Sequence, residues 1–155
     1  ILLPLALAIS GLPIFGGAKP VPFNPNNLRG GVAGMALVAA AGPLTNLVIA
    51  FVSFGAIALS QGHVSEQIVY VGMIICQVNL GFFIFNILPI PPLDGSRVAY
   101  SLAPDFVRRA MESIERLGLL VLFVIILVAS PAISAIVYSG SNALMNLFGR
   151  IFGLG

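Results

Sequence analysis

The residue best placed to do chemistry in this sequence is Asp94, an acid that directly follows a proline-broken apolar stretch, NILPIPPLDG, at 86–95. Pro89, Pro91 and Pro92 remove backbone donors and fix φ, so a helix must stop or unwind there. Irregular backbone at membrane depth is tolerated only where it is buried in protein or lines a wet cavity. An acid in that setting reads as a functional ionisable group, and the alternative is a turn or capping aspartate, because Asp-Gly is a common turn pair. The other polar side chains within apolar runs are Thr45, Asn46, Gln77, Asn79 and Asn86. Gln77 and Asn79 read as amides that hydrogen-bond from helix to helix. The single histidine, His63, sits in a polar loop with no neighbouring ligands at metal spacing. Cys76 stands eighteen residues before Asp94, about 27 Å along a helix, and cannot share a metal with it.

The elements that must position these groups are written in the composition. Of 155 residues, 59% are hydrophobic and 8% charged, against roughly 25% charged in an ordinary soluble domain. Mean hydropathy is +1.09. So few ionised side chains cannot clothe a soluble globule, and the natural solvent is lipid. The expectation is an all-α, multi-pass transmembrane fold forming one membrane-embedded domain over 1–155. Within it, 1–30 is a connecting hydrophobic segment followed by a surface loop, AKPVPFNPNNLR. Residues 31–60 form a span, and 68–93 a second span ending in the unwound, proline-broken segment that carries Asp94. From Pro104, Phe106, Val107, Ala110, Met111, Ile114 and Leu117 share one helical face, while Arg108, Glu112 and Arg116 share another. The spacing predicts an amphipathic interfacial helix over 104–116. A third span covers 117–137, with Pro131 near its end, and 139–155 is a weakly amphipathic tail. Six of the seven Lys and Arg residues fall in 18–30 and 94–116, so the positive-inside rule puts Asp94 on the cytoplasmic side of the cell membrane and His63 on the other. Lys19 and Arg29 read as interfacial anchors, and Arg108, Arg109 and Arg116 as contacts to anionic headgroups. The net charge of +2 forms no basic stripe with interleaved aromatics, which argues against nucleic acid as a partner. Nor does an internal repeat of the transporter kind occur.

Three motifs then fall in order: GAKPVPFNPNNLR at 17–29, GPLTN at 42–46 and NILPIPPLDGSR at 86–97. Together they resemble the site-2 protease family of intramembrane zinc metalloproteases, in its compact prokaryotic branch, over residues 1 to about 117. The resemblance implies a zinc endopeptidase that cleaves transmembrane protein substrates within the bilayer. In that family two histidines of an HExxH helix and the aspartate of an LDG motif bind zinc, with the HExxH glutamate as general base. Carried over, Asp94 is the third zinc ligand, Asn46 lines the active site and helps hold substrate or the oxyanion, and Asn86 shapes the site around the unwound segment. A His, His, Asp set leaves a fourth position for a water whose pKa the metal lowers to about 7. The PVPFNPNN stretch would be an edge strand that pairs with an extended substrate. This sequence contains no HExxH. The expectation is therefore that the HExxH helix lies before Ile1 and that the chain alone is inactive and holds no stoichiometric zinc. A smaller departure is Gly17, where an aromatic often precedes AKP. The alternative reading is a metal-free pseudoprotease that binds membrane substrates without cleaving them. A channel or transporter subunit using Asp94 ranks last, since no second span carries an acid.

Overall fold

A computed structural model describes residues 31–60, 62–116 and 119–154. The expectations for 1–30, including Lys19, Arg29 and the strand read into PVPFNPNN, lie outside the described residues. Among the described residues the chain forms helices α1 Gly31–Leu59, α2 Glu66–Ile87, α3 Asp94–Leu102, α4 Asp105–Arg116 and α5 Leu119–Ile151. Three of them, α1, α2 and the Leu127–Ile151 part of α5, are long and apolar enough to cross a membrane. In lipid every backbone polar group must be satisfied within its own segment, which is why uncharged runs of this length become helices.

The two spans α1 and α2 form an antiparallel pair joined by a tight turn, where Gly62 takes φ of 79°, a conformation glycine adopts without steric cost. Their approach is close at Gly72, where any side chain would collide with Ile57. A buried cluster of Ala50, Cys76, Leu80 and Phe148 links α1, α2 and α5, and Leu47, Phe51, Phe54, Leu144 and Met145 pack around it. The Phe148 ring meets Phe51 edge-on at 5.1 Å between centroids and Phe54 at 5.8 Å. Gly55 presents no side chain, which leaves room for the Phe152 ring. Higher up, Gly140 of α5 receives Ile84 of α2. The contacts therefore place α5 parallel to α1 and antiparallel to α2, with the densest core toward the 60–65 turn.

The structure corrects the expected ending. In place of a span over 117–137 and a separate tail from Ser139, α5 runs unbroken to Ile151, with Pro131 inside it. The described Leu127–Ile151 part of it is apolar enough to cross a membrane, so the expected tail continues the helix of the third span. Proline removes one ladder bond, but a lipid-embedded helix that stopped there would leave many more backbone groups unsatisfied. Ser139 returns its hydroxyl to the Ile136 carbonyl at 3.2 Å, so it adds no unmet polar group.

The charged stretch also divides. The residues after the proline-broken segment first form α3, which lies against α1, and only then the amphipathic α4. Of the apolar face expected on α4, Val107, Met111 and Ile114 are half-buried, whereas Phe106 is 70% exposed and Ala110 is exposed. The polar side of α4 is turned to α3: Arg97 pairs with Glu115, and the Tyr100 hydroxyl donates to Glu112 Oε1 at 2.6 Å. Arg108 donates from Nε to the Tyr100 carbonyl at 3.0 Å and from its terminal nitrogen to the Ser101 carbonyl at 3.2 Å, capping the C-terminal end of α3.

Candidate active site

The corner that holds Asp94 is built by the end of α2. Leu88 adopts φ −60° and ψ 137°, out of the helical region, as expected for a residue that precedes proline. Residues 88–93 are non-helical and tied by turn bonds, Leu93 N–H to the Ile90 carbonyl at 2.8 Å and Ser96 N–H to the Leu93 carbonyl at 3.0 Å. Asp94 then opens α3, where the unpaired N–H groups of a first helical turn favour negative charge. Buried Ser96 donates its hydroxyl to the Leu93 carbonyl at 2.7 Å and fixes the turn. Gly95 lies flush against the carbonyl groups of Ile87 and Leu88, so that a Cβ there would overlap backbone. The first turn of α3 is thereby pressed onto the last turn of α2.

On its other side Asp94 faces α1. A Cβ built on Gly42 would stand 3.4 Å from Asp94 Oδ2. Gly42 is eleven residues into α1, about 16 Å from its start at 1.5 Å per residue. Asp94 is thus level with the interior of a spanning helix, and α3 runs outward beside the first turns of α1, with Arg97 reaching Met35 Sδ at 3.9 Å. Asp94 is half-buried. The ion pairs among the described residues are Arg97 with Glu115 and Arg108 with Asp105, so no cation neutralises it there.

Asn46 lies one helical turn beyond Gly42 on the same face of α1 and is half-buried. Asn86, also half-buried, is in the last turn of α2, one residue before the Ile87 carbonyl that Gly95 touches. The two expected site asparagines thus sit on the two elements that flank Asp94. Asn79 does not bond across helices as expected. Its amide donates to the Ile75 carbonyl of its own helix at 2.8 Å, the short-range bond open to a residue of this type. Gln77 is exposed on α2. His63 is held in the 60–65 turn by the Ser60 carbonyl at 2.9 Å, at the far end of α1 from Asp94, and Cys76 is buried in the core.

Gly42 and Gly95 are the two contacts that residue reasoning did not assign. The available signal was a Gly-Pro pair inside an otherwise regular span and a glycine directly after the acid. A cavity of about 230 Å³ also opens beside this corner, bounded by Val32, Met35, Pro91, Arg97, Tyr100 and Glu112.

As a metal centre the corner is partial. Among the described residues no three His, Cys, Asp or Glu side chains come together. Asp94 offers one hard carboxylate, free of any cation among those residues, and its donor chemistry suits a single zinc ligand.

Residues 56–129 match the model of peptidase family M50. A Bacillus subtilis protein named as a candidate zinc metalloprotease is 33% identical over 147 residues, covering 89% of this chain and 67% of that protein. A similarly named Methanocaldococcus jannaschii protein is 41% identical over 61 residues, 39% of this chain and 31% of its own length. No solved structure matches the chain.

Proposed function

We propose that this chain, which belongs to peptidase family M50, the site-2 proteases, supplies the third-ligand half of a zinc metalloendopeptidase that cuts transmembrane protein substrates inside the membrane. The single observation that carries the reading is Asp94, an acid opening a helix at the depth of a spanning segment with no cation beside it among the described residues. Its two histidine partners would come from an HExxH helix outside this sequence.

Zinc, when bound, supplies a water acidic enough to attack a peptide carbonyl near neutral pH. The work of this chain is to hold and to position. Asp94 contributes one ligand oxygen, oriented by the α3 N-terminus and locked by the Gly95 contact. Asn46 is suited to donate to the carbonyl oxygen of the scissile peptide as it gains negative charge. Asn86 holds the unwound end of α2 open to an extended peptide. The non-helical residues 88–93 provide what a protease in lipid needs, backbone irregular enough to admit water and framed by protein.

The sidedness of the reaction follows from charge. Arg97, Arg108 and Arg109 lie on the Asp94 side, against Arg150 alone at the end of α5 on the side of the 62–65 turn, a bias that supports a cytoplasmic site on a multi-pass protein of the cell membrane. Partners are then a transmembrane protein substrate and the bilayer itself.

The test is zinc content and proteolysis of the full-length gene product, wild type against Asp94→Ala, purified in detergent and washed with a mild chelator. About one zinc per chain and cleavage of a membrane substrate, both lost in the variant, are expected. Zinc that survives Asp94→Ala would sink the assignment. A full-length protein that folds, binds substrate and holds no zinc would instead make the metal-free binding protein the correct account.

A further inference from the structure

Gly42 and Pro43 are an unusual pair for the interior of a spanning helix, since each disfavours helix relative to alanine. Pro43 is fully buried while Gly42 stays exposed, so the pair has a packed side and an open side. The open side is the one that meets Asp94: a Cβ at 42 would lie 3.4 Å from Oδ2, already at ordinary contact distance. A branched side chain there would put atoms into the space next to the carboxylate. Pro43 has no N–H, so the Ala39 carbonyl, four residues earlier, lacks its regular helical donor. Ala39, Gly42 and Asn46 recur at i, i+3 and i+7, one face of α1. The Thr45 hydroxyl is spent on the Ala41 carbonyl at 2.8 Å and does not fill the gap.

We infer that Gly42 is a positioning residue for Asp94: by presenting no side chain it keeps a notch open on the α1 side of the carboxylate, so that Oδ2 can reach a metal and a peptide can lie between Asp94 and Asn46. Asn46 lies one turn further along the same face of α1 and is half-buried. The floor of the notch is backbone, which cannot swing away as a side chain could. The inference rests on the reading of Asp94 as a zinc ligand. It adds that the free space at 42, as much as the acid at 94, makes the ligand usable.

The experiment is a zinc-affinity series by chelator competition on the full-length gene product, comparing Gly42→Ala, Gly42→Ser and Gly42→Val with Asp94→Ala. Gly149→Ala serves as control, because a Cβ there meets nothing within 4 Å. Gly42→Val should lower zinc affinity on the order of 10-fold, the range typical of groups that orient a ligand rather than bind the metal. Gly42→Ala and Gly149→Ala should stay close to wild type, and Asp94→Ala should abolish binding. If valine does not give folded protein, serine decides, because its hydroxyl reaches Oδ2 and should cost a comparable loss of affinity. Wild-type zinc affinity in folded Gly42→Val or Gly42→Ser, with Asp94→Ala still abolishing binding, overturns the role of Gly42 alone. Wild-type affinity in Asp94→Ala overturns the ligand assignment and this inference with it.

Discussion

Tyr100 and Glu112 join α3 to α4 through one hydrogen bond, and its chemistry is open to titration. The Glu112 carboxylate accepts a hydrogen bond from the neutral phenol and, with some burial and the negative charge nearby, raises the Tyr100 pKa above its ordinary 10.0. A phenol whose folded pKa is raised lends its stabilisation fully below the unfolded value and loses it as pH rises through the folded one. In ultraviolet difference titration the signal removed by Tyr100→Phe should appear above pH 10, and Glu112→Gln should shift it downward. At the same scale, Asn46→Ala should leave zinc bound and slow cleavage by about 10²-fold or more, the usual loss when one oxyanion donor is removed. A loss of zinc in step with activity would instead mark Asn46 as structural. The place of Asp94 at the end of a proline-broken segment was legible from the sequence, whereas its reading as a ligand needed the resemblance of the motifs around it, since type and neighbours alone leave a turn or capping aspartate open. The contacts at Gly42 and Gly95 were not, since a glycine reports its purpose only through what lies opposite. Asn79 misled because the sequence cannot say whether an amide turns to a neighbour or back to its own helix.

The elements around the site depend on two stops. α2 stops at Ile87 because Leu88 precedes a proline, and α3 can begin against it only because Gly95 has no side chain. Gly95→Ala forces a methyl into backbone that cannot retreat, so we expect a loss of about 2 kcal/mol or more, seen as a lower melting temperature in detergent. A variant that melts with the wild type would show that the two helix ends are not pressed together. The break after α2 and the range of α4 were readable from prolines and helical spacing. α5 was not. Pro131 and the serines at 139 and 141 look like a terminus by soluble rules, but in lipid the backbone has nowhere else to find partners, and the helix continues. That α4 would turn its polar side to α3 was likewise out of reach, since periodicity gives the faces of a helix and not which of them meets protein.

For the whole molecule, the three long helices share their core away from the Asp94 corner. Phe148 is 4% exposed and sits among Phe51, Phe54, Leu80 and Cys76. Phe148→Ala should therefore cost about 3–5 kcal/mol of stability while leaving zinc affinity in the folded fraction unchanged. The all-α membrane architecture followed from composition, whereas the parallel course of α5 along α1 needed the contacts of Gly55 and Gly140. Sidedness can be read from single cysteines in a Cys76→Ser background: His63→Cys should react with an impermeant maleimide from outside intact cells, and Arg109→Cys only after lysis. The reverse pattern would invert the topology. α5 has one more consequence at this scale. Its 33 residues make a rod of about 50 Å, well beyond the roughly 30 Å hydrocarbon depth of a bilayer. Such a rod either leans or carries its ends past the hydrocarbon, and since tilt is set by packing against neighbouring helices, the seats of Phe148 and Gly140 against α1 and α2 fix the angle at which α5 crosses.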